Sequence, residues 1–163
     1  MDLENLFFFI LILIYNLGKS KTICEAIKQA WKQSPDNFII VTAHSNSAVD
    51  LLVKELISVP GLDVPKKNIC RITSKNWFET SMSQQIRKFS TTDARDVLRM
   101  KDLRILCGTL QILGNSELPF RRATHIFVDE AGQSPEPDIL IPWTLYDPDL
   151  EGQVVLAGDP HRK

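Results

Sequence analysis

The sequence lacks any marked imbalance of charge. Nineteen Lys and Arg residues stand against 20 Asp and Glu residues among 163, which leaves a formal net charge of −1. Such a chain has no overall basic field to attract a nucleic acid, so any contact of that kind must come from a local set of groups. The length suffices for one domain with its own hydrophobic core, and the composition is that of an ordinary globular protein.

Cysteine is also scarce. The three cysteines, Cys24, Cys70 and Cys107, are far apart and odd in number. Their spacing matches neither a metal-binding pattern nor a disulfide framework. We therefore expect three buried thiols in a protein of a reducing compartment, and we predict a cytoplasmic location.

Long apolar runs are absent as well. The run at residues 6–14 has nine residues, whereas a membrane-spanning helix takes about 20. Asp2 and Glu4 stand where a signal peptide would carry positive charge. A buried parallel strand over residues 10–14 explains the run, because such strands are continuously apolar. A membrane anchor or signal, and sequence foreign to the fold, are the alternatives.

The rest of the chain alternates between helical and extended patterns. Apolar spacing predicts a helix over residues 19–32 and a second one capped by Ser45 or Asn46. The apolar face of that second helix is expected to contain Ala48, Leu51, Leu52 and Leu56. Strands are predicted at residues 38–42, 69–72, 104–107, 124–128 and 154–157, a surface excursion with some helix at 74–100, and a turn with a short helix at 135–146. This order predicts an α/β fold, with a parallel sheet covered by helices on both faces.

Polar groups follow several of the predicted strands. In open parallel sheets, ligands bind at the carboxyl ends of the strands, where such groups converge. The groups in question are Gly18-Lys19-Ser20, Ser45-Asn46-Ser47, Gly108-Thr109, Asp129-Glu130 and Gly158-Asp159. His44, His125 and His161 belong to no such cluster, and we interpret them as structural or solvated.

Gly18, Lys19 and Ser20 stand between an apolar strand and a helix, the context that a phosphate loop requires. In the pattern G-x-x-x-x-G-K-[ST], helix N-terminal amides face the phosphates, the lysine reaches the outer ones and the hydroxyl holds magnesium. Leu13 occupies the first glycine position, so only the second half of the pattern is present. A simple helix start and a second register, ending in Lys21-Thr22, are the alternatives at this point.

Asp129 and Glu130 end the most strongly predicted strand. In a nucleoside triphosphatase, an aspartate here holds the magnesium shell and an adjacent glutamate polarises the attacking water. The residues that follow, Ala131-Gly132-Gln133, favour this interpretation over a merely solvated acidic turn. The hydroxyl and amide groups of Ser45, Asn46, Ser47 and Thr109 suit the phosphates of a single nucleic-acid strand, with helix capping as the alternative or an accompanying role.

These strings resemble superfamily 1 RNA helicases of the Upf type, and especially the Armitage and Moloney-leukaemia-virus-ten-homologue group. The resemblance extends from Gly18 to the C-terminus. Five motifs have counterparts in the same order: Gly18-Lys19-Ser20 in the phosphate loop, residues 45–50 in motif Ia, Gly108-Thr109 in motif Ic, residues 124–133 in motif II and residues 156–160 in motif III. The spacing to the helix that follows selects the register of Lys19 and Ser20.

The resemblance implies an ATP-dependent motor on single-stranded RNA, with ATP and Mg²⁺ between two RecA-like lobes, of which this chain resembles the first. RNA-silencing proteins are implied as partners, and no membrane. By this likeness, Lys19 holds the outer phosphates and Glu130 the water. Magnesium is bound by Ser20 and Asp129, and the nucleotide is supported by Gly18, Gln133 and Asp159. The RNA is contacted by Ser45, Asn46, Ser47 and Thr109.

Two departures from the family pattern bear on activity. Leu-Ile-Tyr-Asn-Leu at residues 13–17 replaces G-P-P-G-T, and bulky side chains there would hinder the close approach of phosphates. Arg162 and Lys163 replace the glutamine and leucine of motif III. We therefore expect a segment at 1–17 that is partly a first strand or non-native, and a RecA-like lobe at 18–163 truncated in motif III, from a misassembled gene model or a degenerate paralogue.

Three functions are consistent with these features. The first is a helicase lobe that hydrolyses little ATP alone, since arginine fingers of a second lobe contribute orders of magnitude in rate. The second is a non-catalytic binding module, which the missing glycines favour. The third, a small kinase, would need neither the polar tips at Ser45-Asn46-Ser47 and Gly108-Thr109 nor the Ala131-Gly132-Gln133 extension.

Overall fold

The computed structural model describes residues 7–12, 19–58, 64–114, 123–147 and 153–158. Within these ranges, seven strands form one sheet in the order β1-β7-β6-β2-β5-β3-β4, and every neighbouring pair is parallel. The strands are β1 (Phe7–Ile12), β2 (Ile39–Ala43), β3 (Ile69–Ile72), β4 (Ser90–Thr91), β5 (Ile105–Thr109), β6 (His125–Asp129) and β7 (Gln153–Gly158).

Helices cover both faces of this sheet, which confirms the predicted fold class. They are α1 (Lys19–Gln33), α2 (Asn46–Ser58), α3 (Lys75–Thr80), α4 (Gln84–Arg87), α5 (Ala94–Arg99), α6 (Leu110–Leu113) and α7 (Glu136–Ile139), with 3₁₀ turns at Lys66–Asn68, Ala131–Gln133 and Ile141–Thr144. One apolar core lies between the sheet and α1, α2 and α4. The other lies on the opposite face, under α5, α6 and the last 3₁₀ turn.

The buried face of α2 differs in part from the predicted one. Leu52 and Leu56 are buried as expected, but Leu51 is 48% exposed, so its predicted burial is wrong. Val49 and Val53 lie on the buried face instead. Positions 49, 52, 53 and 56 follow the three- and four-residue spacing of one helix face, and Leu51 falls outside that stripe.

The first strand begins earlier than predicted. Strand β1 covers Phe7–Ile12 rather than residues 10–14, and it lies at the edge of the sheet with Ile12 opposite Gly158 in β7. Leu13 and Ile14 lie outside the described residues. Among the helices that the structure describes, none has both the length and the apolar character needed to cross a membrane.

All three cysteines are buried and unbridged, as predicted. Burial raises the pKa of the Cys24 thiol to about 12, and the Glu55 and then the Asp129 carboxylates add to the increase. Burial also raises the pKa of Cys70 to about 12 and that of Cys107 further. Because the thiolate is the reactive form, these cysteines are expected to be chemically inert.

The buried His125 at the start of β6 gives a testable pH dependence. Burial lowers the pKa of its imidazole, whereas an unfolded histidine titrates near about 6.5. The unfolded chain therefore binds the proton more readily, so the contribution of His125 to stability is complete above that pH and declines below it. We expect the free energy of unfolding in urea to fall more between neutral and mildly acidic pH in the wild type than in His125→Gln. Equal losses in the two proteins would contradict this.

Candidate functional site

The polar residues at the carboxyl ends of the described strands lie along one side of the sheet. Ala43, at the end of β2, is opposite Asp129 of β6 on one side and Thr109 of β5 on the other. At the far side of β7, Ile12 is opposite Gly158. The parallel register therefore brings the ends of these strands to a common edge, as the sequence predicts.

The acidic turn after β6 has an unusual backbone. Asp129 is the last residue of the strand and is only 7% exposed. Glu130, which is half-buried, has φ 54° and ψ 32°, the left-handed conformation, and no other non-glycine residue in the described ranges has a positive φ. The Glu130 amide donates to Asp129 Oδ1 at 2.8 Å. Such a conformation costs roughly 1–3 kcal/mol and is enriched at functional sites.

Gly158 permits the end of β7 to approach this turn closely. A Cβ atom at Gly158 would lie 2.9 Å from the Gly132 nitrogen and 3.3 Å from the Ala131 nitrogen. Both atoms belong to the backbone of the 3₁₀ turn that follows Glu130. The end of β7 therefore supports the acidic turn, and the absence of a side chain at Gly158 sets how near the two segments come.

Gly158→Ala is expected to destabilise the protein by about 1–3 kcal/mol, because the backbone of Ala131 and Gly132 must move to admit the methyl group. Urea denaturation measures the loss, and backbone NMR shifts of Ala131 and Gly132 report the movement. Gly114→Ala is the matched control, since its Cβ would meet only the Ile141 side chain, at 3.0 Å, which can reorient. A Gly158→Ala protein with wild-type stability and shifts would show that the close approach is unimportant.

The strand and the helix that flank a phosphate loop occur in the right order. Strand β1 ends at Ile12 and α1 begins at Lys19. Ser20 lies half-buried in the first helical turn, and the buried Cys24 lies one turn later on the same face. Cys24 belongs to the same apolar cluster as Phe127 of β6 and Ala157 of β7. The beginning of α1, where the helix dipole favours anions, therefore packs against the strands that end at the acidic turn and at Gly158. The predicted site residues Gly18 and Asp159 lie outside the described residues.

The donors at this place suit magnesium. Mg²⁺ prefers hard oxygen ligands and is usually bound by one or two carboxylates together with substrate phosphates. The Ser20 hydroxyl and the Asp129 carboxylate are ligands of that type. In the described part of the chain, no group of three or more His, Cys, Asp or Glu residues could hold a metal ion. Gln133, another predicted site residue, is exposed at the end of the 3₁₀ turn.

The other predicted polar tips also cap helices. Ser45 Oγ accepts the Ala48 amide at 3.2 Å and lies 3.1 Å from Ser47 Oγ, which confirms Ser45 as the cap of α2. Thr109 is buried, and its hydroxyl accepts the Ile112 amide at 3.5 Å at the start of α6. Ser45 is half-buried and Ser47 is exposed, so capping leaves both accessible to a ligand.

A buried arginine that contacts Asn46 and Asp50 of motif Ia was not predicted from the sequence. Arg71 of β3 is completely buried, and its Nε donates to Asp50 Oδ1 at 3.0 Å. Its Nη2 donates to Asn46 Oδ1 at 2.8 Å. Trp77 Nε1 donates to the second oxygen of Asp50 at 2.8 Å. One signal was available in the sequence: a single cation inside the apolar strand Ile-Cys-Arg-Ile.

Comparison with known sequences gives a consistent result. A family model described as "AAA domain" matches residues 15–99 and 80–161. The mouse (Mus musculus) protein "RNA helicase Mov10l1" is 38% identical over 147 residues, which cover 88% of this chain and 12% of that protein. The chicken (Gallus gallus) "Putative helicase MOV-10" is 32% identical over 162 residues, covering 89% and 16%. The chain thus spans only 12% to 16% of the length of these two relatives.

Solved structures share the fold at low sequence identity. The Hef helicase domain of Pyrococcus furiosus superimposes with a TM-score of 0.69 and 12% identity, covering 98% of this chain and 31% of that one. The C-terminal domain of the DEAD-box protein Dbp5 gives a TM-score of 0.60 with 11% identity, covering 97% and 79%. Identities this low establish the fold alone, which is that of RecA-like helicase domains.

Proposed function

Because this chain belongs to the AAA-domain family, as a superfamily 1 helicase lobe similar to Mov10 RNA helicases, we propose that it is the ATP-binding first lobe of an ATP-dependent RNA helicase. One observation carries the proposal: the buried Asp129 and the left-handed Glu130 form a supported turn near the beginning of α1. In a full-length protein, ATP hydrolysis by such a lobe would drive movement along single-stranded RNA and its unwinding. The chain by itself would hydrolyse little ATP.

Each residue then has a distinct role. Lys19 neutralises the outer phosphates, and Ser20 and Asp129 hold magnesium, which supplies further positive charge against them. Glu130 accepts a proton from the attacking water, for which its half-buried carboxylate is accessible. Gly18, Gln133 and Asp159 complete the nucleotide site. In this assignment, residues 1–17 form the N-terminal apolar segment, and residues 18–163 form the helicase lobe that contains all of these groups.

Single-stranded RNA is the proposed partner at the carboxyl ends of β2 and β5. Ser45, Asn46, Ser47 and Thr109 would contact its backbone, since hydroxyl and amide groups bind phosphate oxygens without reading the bases. The net charge of −1 makes such a local set necessary. Cytoplasmic small-RNA pathway proteins are the proposed further partners.

A non-catalytic binding module is the second candidate. The bulky residues Leu-Ile-Tyr-Asn-Leu at 13–17 favour it, because a phosphate loop needs glycines where the backbone meets the nucleotide. Such a lobe would keep its RNA contacts without binding ATP.

Equilibrium binding of a fluorescent ATP analogue with Mg²⁺ separates the two candidates. We expect saturable binding that weakens in Lys19→Ala, because Lys19 contacts phosphates. Lys21→Ala is the matched control, since Lys21 is exposed in the same turn of α1 and would matter only in the alternative register. Absence of nucleotide binding, with retained binding of single-stranded RNA, would favour the module. Turnover typical of a two-lobed helicase, abolished in Glu130→Gln, would refute the expected low activity.

A further inference from the structure

The network around Arg71 has a feature that the proposed nucleotide chemistry does not use. Arg71 is held on three sides: Nε by Asp50, Nη1 by the Ile72 carbonyl and Nη2 by the Asn46 side chain. Asp50 is in turn held by Trp77 of α3. A buried cation with every side of its guanidinium bonded has little freedom to reorient, so this network is a rigid base under the first turn of α2.

Asn46 lies where this rigid base meets the surface. Its Oδ1 accepts from Arg71 Nη2 at 2.8 Å and from Thr73 Oγ1 at 3.4 Å. Both neighbours are donors, and an arginine has no acceptor, so the carboxamide oxygen must face inwards and the amide nitrogen outwards. Asn46 is half-buried, and within the described ranges its Nδ2 has no hydrogen-bond partner.

We propose that Arg71 is a positioning residue, which fixes the Asn46 carboxamide so that its amide hydrogens point to a phosphate oxygen of a bound single strand. This inference rests on the proposed RNA-binding function and specifies one of its contacts. The ligand atom at Asn46 must be an acceptor, because only donor hydrogens are available there. Asn46 lies in the first turn of α2, beside the exposed Ser47, and the helix dipole also favours an anion at that end.

Lysine cannot replace arginine in this role. The guanidinium of Arg71 reaches Asp50 and Asn46 with two different nitrogens in a fixed plane, whereas a lysine offers one nitrogen on a flexible chain. Arg71→Lys therefore keeps the buried charge beside Asp50 and releases Asn46. This variant separates the orientation of the amide from the neutralisation of the carboxylate.

Asn46→Asp tests the direction of the hydrogen bond. Its carboxylate still accepts from Arg71 and Thr73, so the network is retained, but it offers no hydrogen to a phosphate and repels it. We expect this variant to keep or exceed the wild-type Tm and to lose RNA binding. A merely structural role for Asn46 would leave RNA binding intact in such a protein.

The experiment measures fluorescence anisotropy of a fluorescein-labelled single-stranded oligouridine with the full chain. Arg71→Lys and Asn46→Ala should each weaken binding by about tenfold, the loss of one hydrogen bond to a charged group, and the double variant should be no weaker than Asn46→Ala. Arg104→Lys is the matched control, because Arg104 binds the Trp31 and Asn37 carbonyls at the opposite edge of the sheet. Wild-type affinity in Arg71→Lys, or an equal loss in Arg104→Lys, would overturn the proposal.

NMR relaxation of the Asn46 side-chain amide decides the positioning role without RNA. Its order parameter should be high in the wild type and lower in Arg71→Lys, with no change in Arg104→Lys. An order parameter that does not respond to Arg71→Lys would refute positioning. A wild-type chain that binds no RNA would refute the proposed RNA contact and the donor role of Asn46 together, while the relaxation result would still support or overturn the effect of Arg71 on Asn46.

Discussion

Asp50→Ala is expected to destabilise the protein by about 3–5 kcal/mol, as removal of one member of a buried ion pair does. Arg71 is 0% exposed and its Nε bonds to Asp50 at 3.0 Å, so the variant leaves a cation in the core without its counter-charge. The Trp77 indole loses its acceptor at the same time. Urea denaturation followed by circular dichroism measures the effect.

An exposed pair provides the control for that substitution. Glu79 lies 3.9 Å from Lys75, and both side chains are mostly exposed. Glu79→Ala should change the free energy of unfolding little, because water screens such pairs. A similarly small effect of Asp50→Ala would mean that Arg71 finds another partner or reaches solvent.

The double variant Asp50→Leu, Arg71→Met tests whether the ion pair contributes to RNA binding apart from its effect on stability. Replacing a buried ion pair by apolar residues is often neutral or stabilising, so we expect it to recover most of the stability that Asp50→Ala loses. It should still bind single-stranded RNA more weakly than the wild type, because Asn46 then loses its hydrogen bond from Arg71 and keeps only the longer one from Thr73. Recovery of both stability and RNA binding would show that the ion pair has no specific role.

Asp129→Ala is expected to weaken Mg²⁺-dependent binding of an ATP analogue by about 10- to 100-fold, equivalent to a charge-assisted interaction of roughly 1.5–3 kcal/mol. Asp129 is the buried acid at the end of β6, next to Glu130 in the acidic turn. Titration of the fluorescent analogue, with and without Mg²⁺, measures the effect.

Two controls make the Asp129 result specific to magnesium. The difference between wild type and variant should disappear when EDTA removes the metal, since the proposed role of Asp129 is to hold that metal. Asp138→Ala removes a half-buried acid whose Oδ2 lies 3.5 Å from Gln111 Nε2, and it should leave nucleotide binding unchanged. An equal loss with and without Mg²⁺ would contradict the proposed metal role of Asp129.

Local patterns predict much of this fold because they depend on near neighbours in the chain. Continuous apolar runs become strands buried on both faces, as β2 and β6 are, and the spacing of Ile23, Ile27 and Ala30 gives the buried face of α1. Ser45 caps α2 through its own first turn. The starting residue of β1 and the burial of Leu51 were predicted wrongly, because edges and helix faces depend on what packs against them.

The sequence by itself determined the alternation of strands and helices, the family, and the identity of the acidic pair Asp129-Glu130. These properties lie in short strings whose chemistry is independent of distant residues. Only the tertiary structure decided how Gly158 supports the acidic turn and how Arg71 holds Asn46. Each of those contacts joins residues 25 or more positions apart: Arg71 Nη2 lies 2.8 Å from Asn46 Oδ1, and a Cβ atom at Gly158 would lie 2.9 Å from the Gly132 nitrogen. Such proximity arises only when the strands pair and the helices pack.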